Sequence, residues 1–295
     1  MSSALQIDTW ATQRGCGTMI SSSEVALAEA DLQERKAIAN LDPVNAKKIL
    51  VDTEVVVPLA WHVIYREGTF EGGYLTEDLV EGWIAAVNEH YNSTGITFAL
   101  DSLDATENVT WFIGADPVAR KVQDEMKASL RVGNASVLNI YSVGFGSRTT
   151  KELLGYSTYP WVYENSTIDD GVVILFSSLP GGTKENFDEG KTLTHEIGHW
   201  LGLYHPFEGG CTGDGDFVDD TPPQVKTTTG CPDFQDSCPG GGTDNIHNFM
   251  DYSYDRCMFE FTPGQATRVR EQLLYYRNLT SSFPYDVEFD YIVNR

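Results

Sequence analysis

The sequence predicts an α+β fold in which strands and helices are mixed up to residue 205 and an irregular, disulfide-bonded region follows. Three observations predict it. Two β-branched apolar runs, "EVVVPLAWHVIYR" (54–66) and "GVVILFSSL" (171–179), read as strands, the second buried mid-sheet. Several stretches carry apolar residues at helical spacing behind capping residues. From 206 to 262 the chain is Gly, Pro, Cys and Asp with little periodicity, and four of the five cysteines lie there.

Taken in order, "SSSEVALAEADLQERKAIAN" (21–40) opens on serine caps and spaces its apolar residues for one amphipathic helix. A break at "LDPVNAKK" precedes the first strand, 54–66. "TEDLVEGWIAAVNEHYN" (76–92) reads as a helix with Thr76 as N-cap. A short strand "ITFAL" (96–100), a helix over 116–132 and a strand over 136–143 come next. After the apolar run at 171–179, "ENFDEGKTLTHEIGHWLGLYH" (185–205) reads as a helix. The last element, 262–278, is a helix capped by Thr262 with Pro263 at its first position.

At 295 residues the chain can bury a sizeable core. It has 43 acidic and 20 basic side chains, a net charge of −23 that repels nucleic acid and anionic lipid. No run of eighteen apolar residues exists to span a membrane. Residues 1–50 hold six acids and five bases, so nearly all of the charge belongs to residues 51–295. This division separates an N-terminal piece, 1–50, from a main domain, 51–295.

Cys211, Cys231, Cys238 and Cys257 read as two disulfides, with three pairings open, and Cys16 is left over. Sequons at Asn92, Asn108, Asn134, Asn165 and Asn278 use five of thirteen asparagines, where chance gives roughly two. With the cysteine cluster they indicate a secreted, extracellular glycoprotein. Residues 1–20 show no charged n-region followed by an apolar one, so the expectation is that a signal peptide has been removed.

The chemistry is concentrated in "HEIGHWLGLYH" (195–205). On a helix, His195 and His199 lie one above the other and can bind one cation. Gly202 can take positive φ and turn the chain so that His205 supplies a third nitrogen. Three imidazoles leave a fourth position for water, as in catalytic zinc sites. Glu196, next to the first ligand, can reach a zinc-bound water, take its proton and deliver it to a leaving amine.

This stretch, with "NFMDYSYDRCM" (248–258), resembles the metzincin zinc endopeptidases. The finer pattern, with "GD", "VDDTP", "GCP", "DSCP" and "EFTPGQ", is similar to the pappalysin family and covers roughly residues 50–280. The resemblance implies a metzincin-type zincin fold: a twisted mixed sheet with backing and active-site helices (51–205) over an irregular lower subdomain (206–295). It implies a zinc-dependent endopeptidase acting on polypeptides, expected as a monomer. It implies Met250 as the floor beneath the ligands, Tyr252 as a transition-state donor, and the pairs Cys211–Cys238 and Cys231–Cys257. It also implies structural calcium near Asp214, Asp216, Asp219, Asp220 and Thr221, which lack the EF-hand spacing.

Cys16, in "RGCGT", resembles the RxCG pattern of cysteine-switch propeptides, in which a thiolate occupies the water position and keeps the precursor latent. Residues 1–50 are therefore expected to be a propeptide released near Lys47 and Lys48. Relatives that cleave before Arg or Lys carry an acidic side chain near the cysteine equivalent to Cys257. Asp255 and Arg256 both precede Cys257, and either could face the pocket. The cysteine spacing favours Arg256, which predicts no strict preference for Arg or Lys.

Overall fold

In a computed structural model, residues 14–39, 54–146 and 152–279 are described. The expected cleavage near Lys47 and Lys48 lies outside the described residues. Strand β1 (Val55–Tyr65) pairs in parallel with β2 (Ile96–Glu107) on one side and β3 (Leu138–Val143) on the other. β3 pairs in parallel with β5 (Val172–Leu175), and β4 (Gly155–Ser157) closes the sheet antiparallel to β5. The order is thus β2-β1-β3-β5-β4, a mixed sheet of five strands. The central strands are buried on both faces, which is why they read as unbroken apolar runs.

Helix α1 (Ser22–Ala39) precedes the sheet, and α2 (Glu77–Tyr91) packs Trp83, Val87 and Tyr91 into the core on one face. Two short helices, α3 (Val109–Gly114) and α4 (Lys121–Leu130), place Phe112 and Met126 in a second apolar cluster with Tyr141 and Val173. The motif helix α5 (Lys191–Trp200) lies in the first cluster, and α6 (Pro263–Tyr276) follows the irregular region. Thr262 and Gln265 close a reciprocal cap at the start of α6.

Several elements differ from the sequence reading. β2 runs seven residues past Leu100, because an edge strand with an exposed outer face tolerates "DSLDATE". The helix expected over 116–132 is shorter, since the Asp116 carboxylate accepts the backbone N–H groups of Val118 and Ala119 and holds a turn there. The motif helix starts at Lys191 rather than near 185, because Gly190 sits at φ +83. β4 and α3 were not anticipated; three and six residues carry too little periodicity.

Helix α1 forms where expected but is seated by charge more than by an apolar face. Ala28 and Leu32 are buried, while Leu27 and Ile38 are 72% and 62% exposed. Glu29, itself buried, accepts from Arg268 at 2.5 Å and from the Tyr204 hydroxyl at 2.9 Å. Lys36 pairs with Glu271 at 2.5 Å and Asp31 accepts from the Tyr276 hydroxyl at 2.6 Å. This tethers the N-terminal piece to α6.

Candidate active site

His195 and His199 come from consecutive turns of α5. The turn after it, with Gly202 at φ +83 and Leu203 N–H bonded to Gly198 O at 2.9 Å, swings His205 back beside them. The Nε2 atoms lie 3.2 Å apart for His195 and His199 and 3.1 Å apart for His199 and His205. Each Nδ1 faces an acceptor: Phe249 O at 2.8 Å, Leu203 O at 2.8 Å and the Glu208 carboxylate at 3.2 Å. Acceptors there assign the proton to Nδ1 and turn three Nε2 lone pairs on one another, an arrangement that only a shared cation satisfies. Burial keeps the rings neutral, with His205 pushed down to about 3.

Cys16 completes the group. Its Sγ is 3.6 Å from His199 Nε2, and the four ligand atoms lie within 4.8 Å of one another. A tetrahedral zinc with ordinary bond lengths requires nitrogens about 3.3 Å apart and a sulfur about 3.6 Å from each nitrogen. The donor set fits zinc in chemistry, and the His195–His199, His199–His205 and Cys16–His199 separations match this spacing. Burial, with the Glu196 carboxylate beside it, pushes the Cys16 thiol well up, so a thiolate here needs a cation next to it.

Glu196 is fully buried. Its Oε2 accepts from the Thr18 hydroxyl at 2.9 Å, Oε1 has no partner among the described residues, and burial pushes the carboxyl up to about 7. Gly155 on β4 leaves room for this side chain: a Cβ there would meet Glu196 Cγ at 2.8 Å. The Tyr252 hydroxyl lies 3.3 Å from His205 Nε2, and Met250 is buried beneath α5. A Cβ at position 198 would stand 2.3 Å from Met250 Sδ, which accounts for the glycine inside the motif.

The irregular region after α5 holds the two disulfides. Cys211 joins Cys238 and Cys231 joins Cys257. Asp255 is buried, and its carboxylate accepts the backbone N–H groups of Glu189 at 2.9 Å and Lys191 at 3.4 Å, at the start of α5. Its other oxygen meets the Arg14 guanidinium at 2.6 Å. Arg14, also buried, donates to Thr192 at 2.6 Å and to Ser253 O at 3.2 Å. Arg256 is exposed, stacks on Tyr254 and donates to Asn186 at 3.1 Å. A one-turn 3₁₀ helix over Asp255–Cys257 sends successive side chains in different directions, so Asp255 is buried among donors while Arg256 is exposed.

The acidic loop does not converge as the histidines do. Asp214 and Asp219 are exposed, and Asp220 accepts the Gly264 N–H at 2.8 Å at the start of α6. Asp216 is buried with Thr221, whose hydroxyl donates to it at 2.6 Å, while its Oδ2 has no partner.

Arg14, Thr18 and Glu208 were not singled out from the sequence. Arg14 is the first letter of the quoted RxCG pattern, and Glu208 lies three residues past a ligand, so both had a local signal. Removing the Glu208 carboxylate should free the His205 ring to rotate. Glu208→Ala is expected to weaken metal binding by about 10- to 100-fold, as partners of ligating histidines commonly do. Competition with a graded chelator measures this, and an unchanged affinity would deny Glu208 that role.

The Peptidase_M43 family model, described as pregnancy-associated plasma protein-A, matches residues 138–274. The extracellular metalloprotease of Sordaria macrospora is 38% identical over 266 residues, 89% of this chain and 88% of its own length. Extracellular metalloprotease 1 of Coccidioides posadasii is 39% identical over 272 residues, 90% of this chain and 91% of its own. The chain belongs to the pappalysin family. Its fold is similar to that of a Tannerella forsythia promirolysin mutant, with a TM-score of 0.66 and 25% identity over 90% of this chain and 95% of that one. Mature mirolysin in complex with a cleaved peptide gives 0.60 and 26% over 79% of this chain and 100% of that one. As a pappalysin the chain is a metallopeptidase, a hydrolase acting on polypeptides. No helix among the described residues is long and apolar enough to cross a membrane.

Proposed function

We propose that this pappalysin is the latent precursor of a secreted zinc endopeptidase, with residues 1–50 as propeptide and 51–205 and 206–295 as upper and lower subdomains. One observation carries the reading: the Cys16 sulfur lies 3.6 Å from the His199 nitrogen, and its sulfur and the three histidine nitrogens all lie within 4.8 Å of one another. The similarity to promirolysin covers more of the chain than that to mature mirolysin, 90% against 79%, which supports an N-terminal pro-segment. Relatives named extracellular metalloproteases support secretion.

His195, His199 and His205 would hold the zinc. When bound, zinc supplies a Lewis acid that polarises the scissile carbonyl and acidifies the attacking water. Glu196 accepts a proton from that water and returns it to the leaving amine. Tyr252 donates its hydroxyl to the oxygen on which charge develops. In the precursor, Cys16 would supply the fourth ligand beside the three histidines while the Thr18 hydroxyl donates to Glu196, so one short segment covers both reactive groups.

Asp255 lies at the base of the pocket for the residue after the scissile bond, by likeness to relatives that cleave before basic residues. Arg14 fills it in the precursor. Arg14 precedes Cys16, whereas a substrate's basic residue follows its scissile bond, so the pro-segment crosses the site in the reverse direction. It also pairs in parallel with the edge strand, Cys16 opposite Gly155. A substrate running the other way adds to β4 antiparallel. This reversal keeps the segment from being cut where it lies.

Calcium is proposed at Asp216, whose Oδ2 is buried without a partner and which lines a cavity of about 690 Å³ between the acidic loop and α1. The five sequons suit glycosylation on the secretory route.

The experiment for latency is Cys16→Ala in the full, zinc-loaded chain. A tethered ligand acts at millimolar effective concentration, so removing the thiol should raise peptide hydrolysis roughly 100-fold before any processing. A Cys16→Ala precursor no more active than the unaltered one would overturn the switch.

A further inference from the structure

Beyond β4 the chain continues along the cleft as "TYPWV" (158–162), and an aromatic row starts at the metal site and runs outward. Tyr159 sets its ring edge against His199, with centroids 5.5 Å apart, and stacks flat on Trp161 at 4.7 Å and 8°. Trp161 in turn meets Tyr204 at 5.8 Å and Tyr276 at 6.4 Å. Tyr159 is buried, and its hydroxyl has no partner among the described residues. At its inner end, the Tyr159 ring is therefore not placed by a hydrogen bond of its hydroxyl, whereas Tyr204 and Tyr276 donate to Glu29 and Asp31.

Ile20, Leu27 and Ala28 of the pro-segment face Tyr159, Trp161 and Val162 across a groove of about 400 Å³. Trp161 is only half-buried even with this segment present. When α1 leaves, the indole face and Val162 become an open apolar shelf, continuous with the edge strand on which a substrate would lie. From the pro-segment, Ile20, Leu27 and Ala28 line this groove beside Glu24, Asp31 and Arg35; the indole face itself is apolar, and an aliphatic side chain is the chemistry that fits it.

The side of the scissile bond follows from the chain direction proposed above, on which this inference rests. The Asp255 pocket marks the side after the bond, where Arg14 lies, and the segment reaches Ile20 only after passing Cys16. In a substrate of opposite direction, the shelf receives residues before the bond. We propose that Tyr159 and Trp161 form a second specificity site, which binds a large aliphatic side chain two to four residues before the scissile bond. A flat indole offers a large apolar area at little entropic cost, and the ring stacked behind it holds it in place.

The test uses the full chain, zinc-loaded and activated, on peptides that share Arg after the scissile bond and carry Leu or Gly at each of the second to fourth positions before it. The expected ratio of kcat/KM, Leu over Gly, is about tenfold at one of these positions in the unaltered enzyme, the discrimination that apolar pockets commonly give. Trp161→Ala should bring the ratio to about one, with Trp161→Phe between, because a smaller ring keeps part of the contact area. Since Trp161 also packs on Tyr204 and Tyr276, thermal unfolding is followed in both variants, and the Phe variant carries the test if the Ala variant does not fold. A ratio near one in the unaltered enzyme, or the same ratio in a folded variant, would overturn the subsite. Apolar selection after the bond with Arg selected before it would overturn the chain direction, and the subsite with it.

Discussion

The zinc-loaded, activated chain carrying Glu196→Gln is expected to keep one zinc and to lose peptide hydrolysis by at least about 10³-fold, within the range for removing a general acid–base group. The amide matches the carboxylate in shape and retains an oxygen for the Thr18 hydroxyl, so the precursor should fold and close as before. What it loses is the capacity to take a proton at Oε1, the atom without a partner. His199→Ala should behave differently: its Nε2 is the centre of the group, 3.1–3.2 Å from both other nitrogens, so its removal should lose the metal. Metal analysis together with turnover on a peptide separates the two variants. Retained hydrolysis in a metal-replete Glu196→Gln enzyme would reject the proton-carrier role.

Cleavage before Arg or Lys is expected to dominate a peptide-library profile of the activated enzyme, and Asp255→Asn should reduce it by about 100-fold or more. Departure of Arg14 leaves a buried carboxylate without a countercharge, and truncating one partner of such a pair costs 2–5 kcal/mol. A basic substrate side chain restores the pair, while a neutral one leaves the charge alone. Asn is the useful replacement because its amide oxygen still accepts the N–H groups of Glu189 and Lys191 that shape the start of α5. Arg256→Ala should leave the profile as it is, since that side chain is exposed and engaged with Asn186 and Tyr254. A profile without basic residues after the scissile bond would overturn the assignment to Asp255.

The core of the site was legible in the sequence because it is local. Two histidines four apart on one helix, a glycine that reverses the chain, and a third histidine three residues on depend only on helical geometry and on the φ freedom of Gly202. The cap at Thr262 and Gln265 is local in the same sense. The buried strands were legible because central strands must be apolar on both faces.

Tertiary structure alone decided the rest, wherever a choice depended on a partner far along the chain. Whether Asp255 or Arg256 turns inward depends on donors at Glu189 and Lys191 and on a guanidinium 241 residues away. Those same N–H groups, with Gly190, set where α5 begins, which apolar periodicity cannot register. The acidic loop looked like a cluster, but exposure of Asp214 and Asp219 costs nothing in water, while Asp220 was drawn to a helix start and only Asp216 was buried. The three-residue strand β4 exists because β5 offers it an edge, and that edge receives Cys16. Short-range pattern determines which atoms can bind a metal. Desolvation and long-range pairing determine which charges face it, and sequence spacing carries neither.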